Sequence, residues 1–338
     1  MGDQATKPRI INIVAPVGSI ADVLAVAEAG ANELYCGFMP ASWHSVFGRA
    51  DVLSRRQGAP AHVQEESDLE RIVETAHRLN RRVALALNGH YSAAQAPQVV
   101  DLARRWEVMG GDSVIVADLG ILLRLVDVGS SLGRHLSLMA GVFNAEAASF
   151  FHRLGVTRII LPRELSIGDM AAVTRDGPPV EYEALAMYQK CPFIDGLCRF
   201  YHDVHVPADV PAEFDCDPCS TSAWTYDPDY EGHGCQLPWA SELGPVRLPL
   251  FNDETAPPCA ACDLNRLADA GVSYAKIAGR GYSAGLIVRA VRFLARAREI
   301  HAWHASRVET AARIRGLYAS TFGGSCESAR CYYNESIP

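Results

Sequence analysis

Short apolar runs alternate with amphipathic segments along most of this chain, and that rhythm restricts its fold more than any other feature. Strands are expected at 10–14, 33–36, 82–87, 113–116, 135–138, 158–161, 180–186 and 274–277. The helices expected between and after them span 19–29, 67–80, 96–108, 119–128, 145–154, 166–174, 264–270 and 283–303. Gly30 stops the first helix, and Ser67 with Glu70 three residues on reads as a capping box for the second. Strand–helix alternation implies a parallel sheet with helical crossovers, and eight such strands close a barrel. The expected fold is therefore α/β, a TIM-like (β/α)8 barrel. A doubly wound open sheet shares the same periodicity.

The rhythm fails once. Between Met187 and Pro258 lies a long stretch rich in Pro, Asp, Gly and aromatic residues, without a long periodic segment. A structureless loop of that length inside a compact domain needs something to organise it. The chain divides accordingly: strands 1–7 of the barrel over 1–186, an insert over 187–258, strand 8 and a closing helix over 259–305, and a C-terminal tail over 306–338. Following strand 7, the insert belongs on the face where barrel enzymes carry their active sites.

That insert is rich in cysteine. Five of the chain's 10 cysteines fall inside it, Cys191, Cys198, Cys216, Cys219 and Cys235, with Cys259 and Cys262 just beyond. A chain with 49% hydrophobic residues builds a core without disulfide staples. Its first residues lack the basic and long apolar regions of a secretory signal, and no run reaches the ~20 apolar residues of a membrane span. The expectation is a cytoplasmic protein whose clustered, reduced thiols bind metal. A net charge of −8 disfavours extensive nucleic-acid binding.

C-x2-C lets two thiolates reach one metal from a single turn, which suits zinc and iron–sulfur sites alike. The pairs Cys216/Cys219 and Cys259/Cys262 stand too far apart for a paired zinc motif, and other cysteines are left over. Ligation chemistry therefore favours an iron–sulfur cluster, with zinc as the alternative. Cys36, ending a strand, is expected as a small hydrophobe. Cys326 and Cys331 either bind metal or pack the tail with Tyr332 and Tyr333.

The ordered blocks VAPVGSIADVLAVAEAGANELYCGF, ALALNGHY, GGDSVIVADLG, HLSLMAGVFNAEAASFFHRLGVTRIILPRELS and CDLNRLADAGVSYAKIAGR together resemble the collagenase-like peptidase family U32, from about Val14 to about Ala295. The resemblance implies a barrel. It also implies chemistry like that of the members that hold a four-iron, four-sulfide cluster and support oxygen-independent hydroxylation of RNA bases or ubiquinone precursors, with prephenate as co-substrate. Carried over residue by residue, it implies Cys191 and Cys198 (in EALAMYQKCPFIDGLC), Cys235 (in GHGCQLPW) and either Cys262 or Cys259 as cluster ligands. Departures from the family pattern are Met187–Tyr188 for its His-Gly, Leu197 for its Arg, Ala278 for the Glu of its KIEGR motif, and the extra pair Cys216/Cys219.

Outside the cysteines, Lys276 and Arg280 stand at the end of the last strand, where a dicarboxylate would need cations. Arg163 and Glu164 follow strand 6, Asn88 follows strand 3 and Asn144 follows strand 5, all expected to face substrate or to cap loops. Asp118 reads as a helix cap and His135 as a structural histidine. The leading expectation is an oxygen-independent hydroxylase acting on an RNA base, a peptide or a small metabolite, with room for a partner subunit. A U32-type peptidase and a non-catalytic zinc-stabilised binding protein are the alternatives.

Overall fold

The computed structural model describes residues 11–47, 53–56, 61–190, 195–197, 239–241, 244–246, 257–303 and 306–333. The strands are β1 (Asn12–Pro16), β2 (Glu33–Cys36), β3 (Arg82–Leu87), β4 (Ser113–Val116), β5 (Gly133–Leu136), β6 (Arg158–Ile160) and β7 (Glu181–Met187), followed by β8 (Trp239–Ser241), β9 (Gly244–Val246) and β10 (Tyr274–Ile277). The strands β1 to β7 and β10 form one closed parallel barrel in the order β1-β10-β7-β6-β5-β4-β3-β2. β1 closes against β10, with Asn12 opposite Tyr274 and Val14 opposite Lys276. The expected barrel is thus observed, and an open sheet is not. β8 and β9 form a separate antiparallel pair.

The helices are α1 (Ile20–Glu28), α2 (Ala41–Phe47), α3 (Glu66–Arg78), α4 (Ala96–Val108), α5 (Leu119–Asp127), α6 (Ala145–Arg153), α7 (Ile167–Asp176), α8 (Leu264–Asp269), α9 (Ala284–His301) and α10 (Arg307–Phe322). Barrel strands are covered on both faces, so they read as continuous apolar runs rather than alternating ones. Thus Val83, Leu85 and Leu87 face one side of β3 and Ala84 and Ala86 the other, all at 2% exposure or less. Side-chain caps start several helices: Ser19 accepts from the Asp22 N–H, Asp118 from Ile121, and Asn144 from Ala147. Ser166 and Asp169 form a full capping box.

The box expected at Ser67 and Glu70 is not formed. Helix α3 begins at Glu66, after an extended Glu65 that makes no side-chain cap. The cause lies just upstream, where the Val63 N–H donates to the Gly37 carbonyl and Val63 accepts from Met39. That pairing keeps the chain extended up to the helix and places Ser67 inside the first turn. The tail also holds more structure than its pattern showed, because 307–322 forms α10 and seats Tyr318 and Phe322 on Phe293 of α9, ring centroids 5.8 and 5.2 Å apart. Among the described residues, no helix is long and apolar enough to cross a membrane.

Both ends of the cysteine-bearing stretch are anchored at the C-terminal end of β7. Met187 bridges antiparallel to Cys259, Tyr188 N–H donates to the Pro258 carbonyl at 3.0 Å, and Ala260 N–H donates to the Ala186 carbonyl at 2.8 Å. The insert therefore departs from the barrel's C-terminal mouth and returns to it.

Candidate active site at the barrel mouth

Charge fills the barrel's lower half. Arg158 grips Glu33 through Nη1–Oε1 at 2.5 Å and Nη2–Oε2 at 2.9 Å, and reaches Glu181 at 2.8 Å and Glu183 at 3.0 Å. Lys276 meets Glu183 at 2.6 Å, and Arg82 meets Glu33 at 3.0 Å. Tyr274 lies flat under the Arg158 guanidinium, 3.5 Å from its ring centroid. Three carboxylates are thereby matched by three cations. Donor atoms of Glu33, His135 and Glu183 lie within 4.8 Å of one another, but Arg158 and Lys276 already supply the positive charge there. Burial alone would raise the Glu183 carboxyl; Lys276 and Arg158 outweigh it and hold the group below the ordinary carboxylate range. Burial, aided by Arg158, Lys276 and Arg82, pushes His135 well down and keeps its imidazole neutral.

Tyr35 connects this layer to the mouth. Its ring receives the Lys276 ammonium at 4.1 Å, its hydroxyl donates to the Ile277 carbonyl at 2.9 Å, and Arg280 and Arg56 both act on it electrostatically. Arg280 and Arg56 are each 7% exposed. The Arg280 guanidinium lies directly over Gly37, where an added Cβ would collide with it, and donates to Ser54 Oγ at 3.0 Å. His62 Nε2 donates to the Arg56 carbonyl at 2.6 Å, which assigns its proton to that nitrogen. Gly279 and Gly281, at φ +117° and +92°, carry the chain around Arg280 into α9 through a conformation that a Cβ would strain. A small pocket lined by Val17, Gly18, Ala61, Arg280 and Gly281 opens there.

The opposite rim is tied by a second set of contacts. Arg163 forms a two-point pair with Asp195, at 2.6 and 2.9 Å, and donates to the Gln189 carbonyl. Tyr333 donates to the Leu185 carbonyl at 2.8 Å, and Tyr332 donates to the carbonyl of Tyr188. Tyr188 in turn stands edge-on to Tyr282, centroids 5.1 Å apart. Arg163 acts electrostatically on both Tyr332 and Tyr333, so the C-terminal residues close over the same mouth as the end of β6.

Of the residues expected to contact substrate, Arg280, Arg163 and Asn88 line this mouth. Asn88 accepts from the Arg55 N–H at 3.2 Å and points its amide at Ser137 Oγ, 3.5 Å away. Lys276 sits deeper, engaged with Glu183 rather than beside Arg280. Glu164 is exposed, and exposed Asn144 serves as the α6 cap. Cys259 is buried at the end of β7 and Cys262 half-buried in the 3-10 turn Ala261–Asp263. Cys191, Cys198 and Cys235, like Cys216 and Cys219, lie outside the described residues. Sequence reasoning missed Ser54, Arg56 and His62, which belong to a non-periodic connection, and Tyr332 and Tyr333 as parts of the mouth.

A closed eight-stranded parallel barrel with cations and phenols gathered at its C-terminal mouth defines a TIM-barrel protein of the kind that binds ligands there. The profile of Peptidase family U32 matches residues 18–313, and the chain belongs to that family. It is 24% identical over 189 residues to tRNA hydroxylation protein P of Helicobacter pylori, covering 56% of this chain and 42% of that protein. It is 24% identical over 281 residues to a collagenase of Porphyromonas gingivalis, covering 79% and 60%. Over 222 residues it is 25% identical to the 23S rRNA 5-hydroxycytidine synthase of Escherichia coli, covering 63% and 30%. The chain thus spans less than two thirds of these relatives' length. Among solved structures, a U32 peptidase superposes with a TM-score of 0.42 at 16% identity over 55% of this chain and 73% of that one. A DHDPS from Cyanidioschyzon merolae does so with 0.46 at 11%, over 96% and 87%.

Proposed function

We propose that this protein is an enzyme of the oxygen-independent hydroxylase type. Its mouth binds a carboxylate-bearing co-substrate, with prephenate the candidate, beside an iron–sulfur cluster held by Cys191, Cys198, Cys235 and a fourth thiolate. The observation that carries the reading is the convergence on one mouth of Arg280, Arg56 and the chain ends that lead to the insert's cysteines. Names of the tRNA and rRNA hydroxylation relatives give the reaction class. The donor set fits the group in its chemistry, because thiolate is the ligand that iron–sulfur clusters take.

When bound, such a cluster supplies one-electron chemistry. The chain's own residues do the rest. Arg280, held by Ser54 and backed by Gly37, presents a guanidinium suited to two-point recognition of a carboxylate. The Lys276–Glu183 pair holds Tyr35 from beneath. Tyr188, Tyr282, Tyr332 and Tyr333 wall the mouth, and a drier site strengthens every charge interaction inside it. The substrate is an RNA base, a peptide or a small metabolite, and the net charge of −8 disfavours an extensive phosphate-backbone interface.

The test uses anaerobically purified full chain. Arg280→Ala should abolish calorimetric binding of prephenate with iron content unchanged. Mass spectrometry of nucleosides and metabolites, from cells with and without the gene, should show one species that gains an oxygen atom. Metal loss with ligand affinity intact would reverse the roles assigned here.

A further inference from the structure

Four described cysteines, Cys259, Cys262, Cys326 and Cys331, gather where the chain beyond α10 returns to the end of β7. Cys259 N–H donates to the Arg330 carbonyl at 3.1 Å, and its carbonyl accepts from Tyr332 N–H at 3.0 Å, so Cys259 and Cys331 run side by side as a parallel bridge. Cys262 follows in the 3-10 turn Ala261–Asp263. Cys326 and Cys331 flank another 3-10 turn, Ser328–Arg330. All six pairings among the four thiols are close enough to interact electrostatically: Cys259 with the other three, Cys262 with Cys326 and Cys331, and Cys331 with Cys326. All four are reduced. Arg315 of α10 sets its positive charge against Cys262, Cys326 and Cys331.

We propose that Cys259, Cys262, Cys326 and Cys331 form a complete four-thiolate centre for an iron–sulfur cluster, separate from the one formed by the insert's cysteines, and that it fastens the C-terminal segment over the barrel mouth. Two short-spaced pairs on adjoining turns are the arrangement in which four thiolates surround one group. Their spacing indicates the occupant. Tetrahedral zinc holds its sulfurs about 3.8 Å apart, as follows from Zn–S bonds of about 2.3 Å. Among the described residues, no three cysteine sulfurs lie within 4.8 Å of one another, wider than a single tetrahedral zinc would set them. Arg315 offsets part of the negative charge that four thiolates bring.

The chain's cysteines then sort into three groups. Cys36 packs in the core and these four form one centre, so the fourth ligand expected at Cys262 or Cys259 passes to Cys216 or Cys219, among the five cysteines between Cys191 and Cys235. Lys190 donates to the Cys331 carbonyl at 2.5 Å and so ties the end of β7 to the same corner. Because Tyr332 and Tyr333 follow Cys331 directly, the centre sets the wall they form.

Full-length protein purified anaerobically provides the test, with iron, sulfide and zinc measured alongside the visible absorption and electron paramagnetic resonance spectra. Cys326→Ser/Cys331→Ser should lose about four iron and four sulfide per chain while Cys191→Ser/Cys198→Ser keeps them. Thiol alkylation of the wild type, read by mass spectrometry, keeps the proposal testable should a variant fail to fold. Cys262, Cys326 and Cys331 should be protected until the metal is stripped, and Cys36 should stay unlabelled throughout. Unchanged iron in the Cys326/Cys331 variant overturns the proposal, as does zinc in place of iron and sulfide. Loss of all iron from the Cys191/Cys198 variant also overturns it, since that outcome means one mixed cluster. The separate variants also keep this centre's failure distinguishable from failure of the hydroxylase reading.

Discussion

Arg158 and Glu33, 125 residues apart in sequence, clasp each other by two parallel hydrogen bonds inside the barrel, at 2.5 and 2.9 Å. Strands β2 and β6 are not neighbours, so the pair spans the barrel's interior rather than its wall. Arg158 is fully buried, and Glu33 and Glu183 nearly so. Arg158→Met should therefore leave carboxylates without their counter-charge and cost roughly 3–5 kcal/mol in urea unfolding. A loss below about 1 kcal/mol would show that Arg82 and Lys276 suffice.

The same layer makes stability depend on pH through His135. Its folded pKa is pushed well below the ordinary value by burial first and then by Arg158, Lys276 and Arg82. The unfolded chain takes up that proton near pH 6.5 while the folded chain refuses it. Stability is then fully present above about pH 6.5 and falls as pH drops toward the folded value. His135→Gln should flatten the slope of unfolding free energy between about pH 7 and 5. His301, also lowered by burial, contributes slope of the same sign.

Gly37 tests the seat of Arg280. An alanine Cβ there would strike the guanidinium and come within 2.7 Å of the Ala61 carbonyl. Gly37→Ala should lower stability by about 1–3 kcal/mol, as overpacking does, and weaken prephenate binding more than it disturbs far-UV circular dichroism. Undiminished affinity would show that Arg280 does not hold the anion.

Arg163 and Asp195 form a buried pair at the mouth, with side chains 9% and 8% exposed. Asp195→Ala alone should cost about 3–5 kcal/mol by stranding the guanidinium. Combining it with Arg163→Met should cost less than the sum of the single changes, a coupling of about 0.5–3 kcal/mol in thermal or urea melts. Strict additivity would mean the two side chains act independently.

Much of the barrel was legible because its strands and helices declare themselves locally. Apolar runs such as Val83–Leu87 must be buried on both faces, and the helix cap at Asp118 is a short-range hydrogen bond of the kind a sequence shows directly. The site was legible where a residue's position past a strand settles its level in the barrel, as for Arg280 and Arg163. It was not legible where a connection has no period. Ser54, Arg56 and His62 reach the mouth only because Asn88 and Tyr91 tie the 53–56 segment across it, Tyr91 through a 2.5 Å bond to the Leu53 carbonyl.

Lys276 illustrates the division. By its place in the last strand it belongs near the mouth, and its pairing with Glu183, 93 residues away, is visible only in the fold. The cysteines divide the same way. Spacing alone marks Cys259 and Cys262 as a pair able to share a metal, since C-x2-C is a local geometry. Which other thiols join them is a long-range matter, decided where the chain beyond α10 returns to the end of β7 and lays Cys331 beside Cys259. Local pattern determined the elements and their order. The choice of partners across the barrel fell to the tertiary structure, because charge pairing and thiol convergence depend on distances in space that no sequence separation encodes.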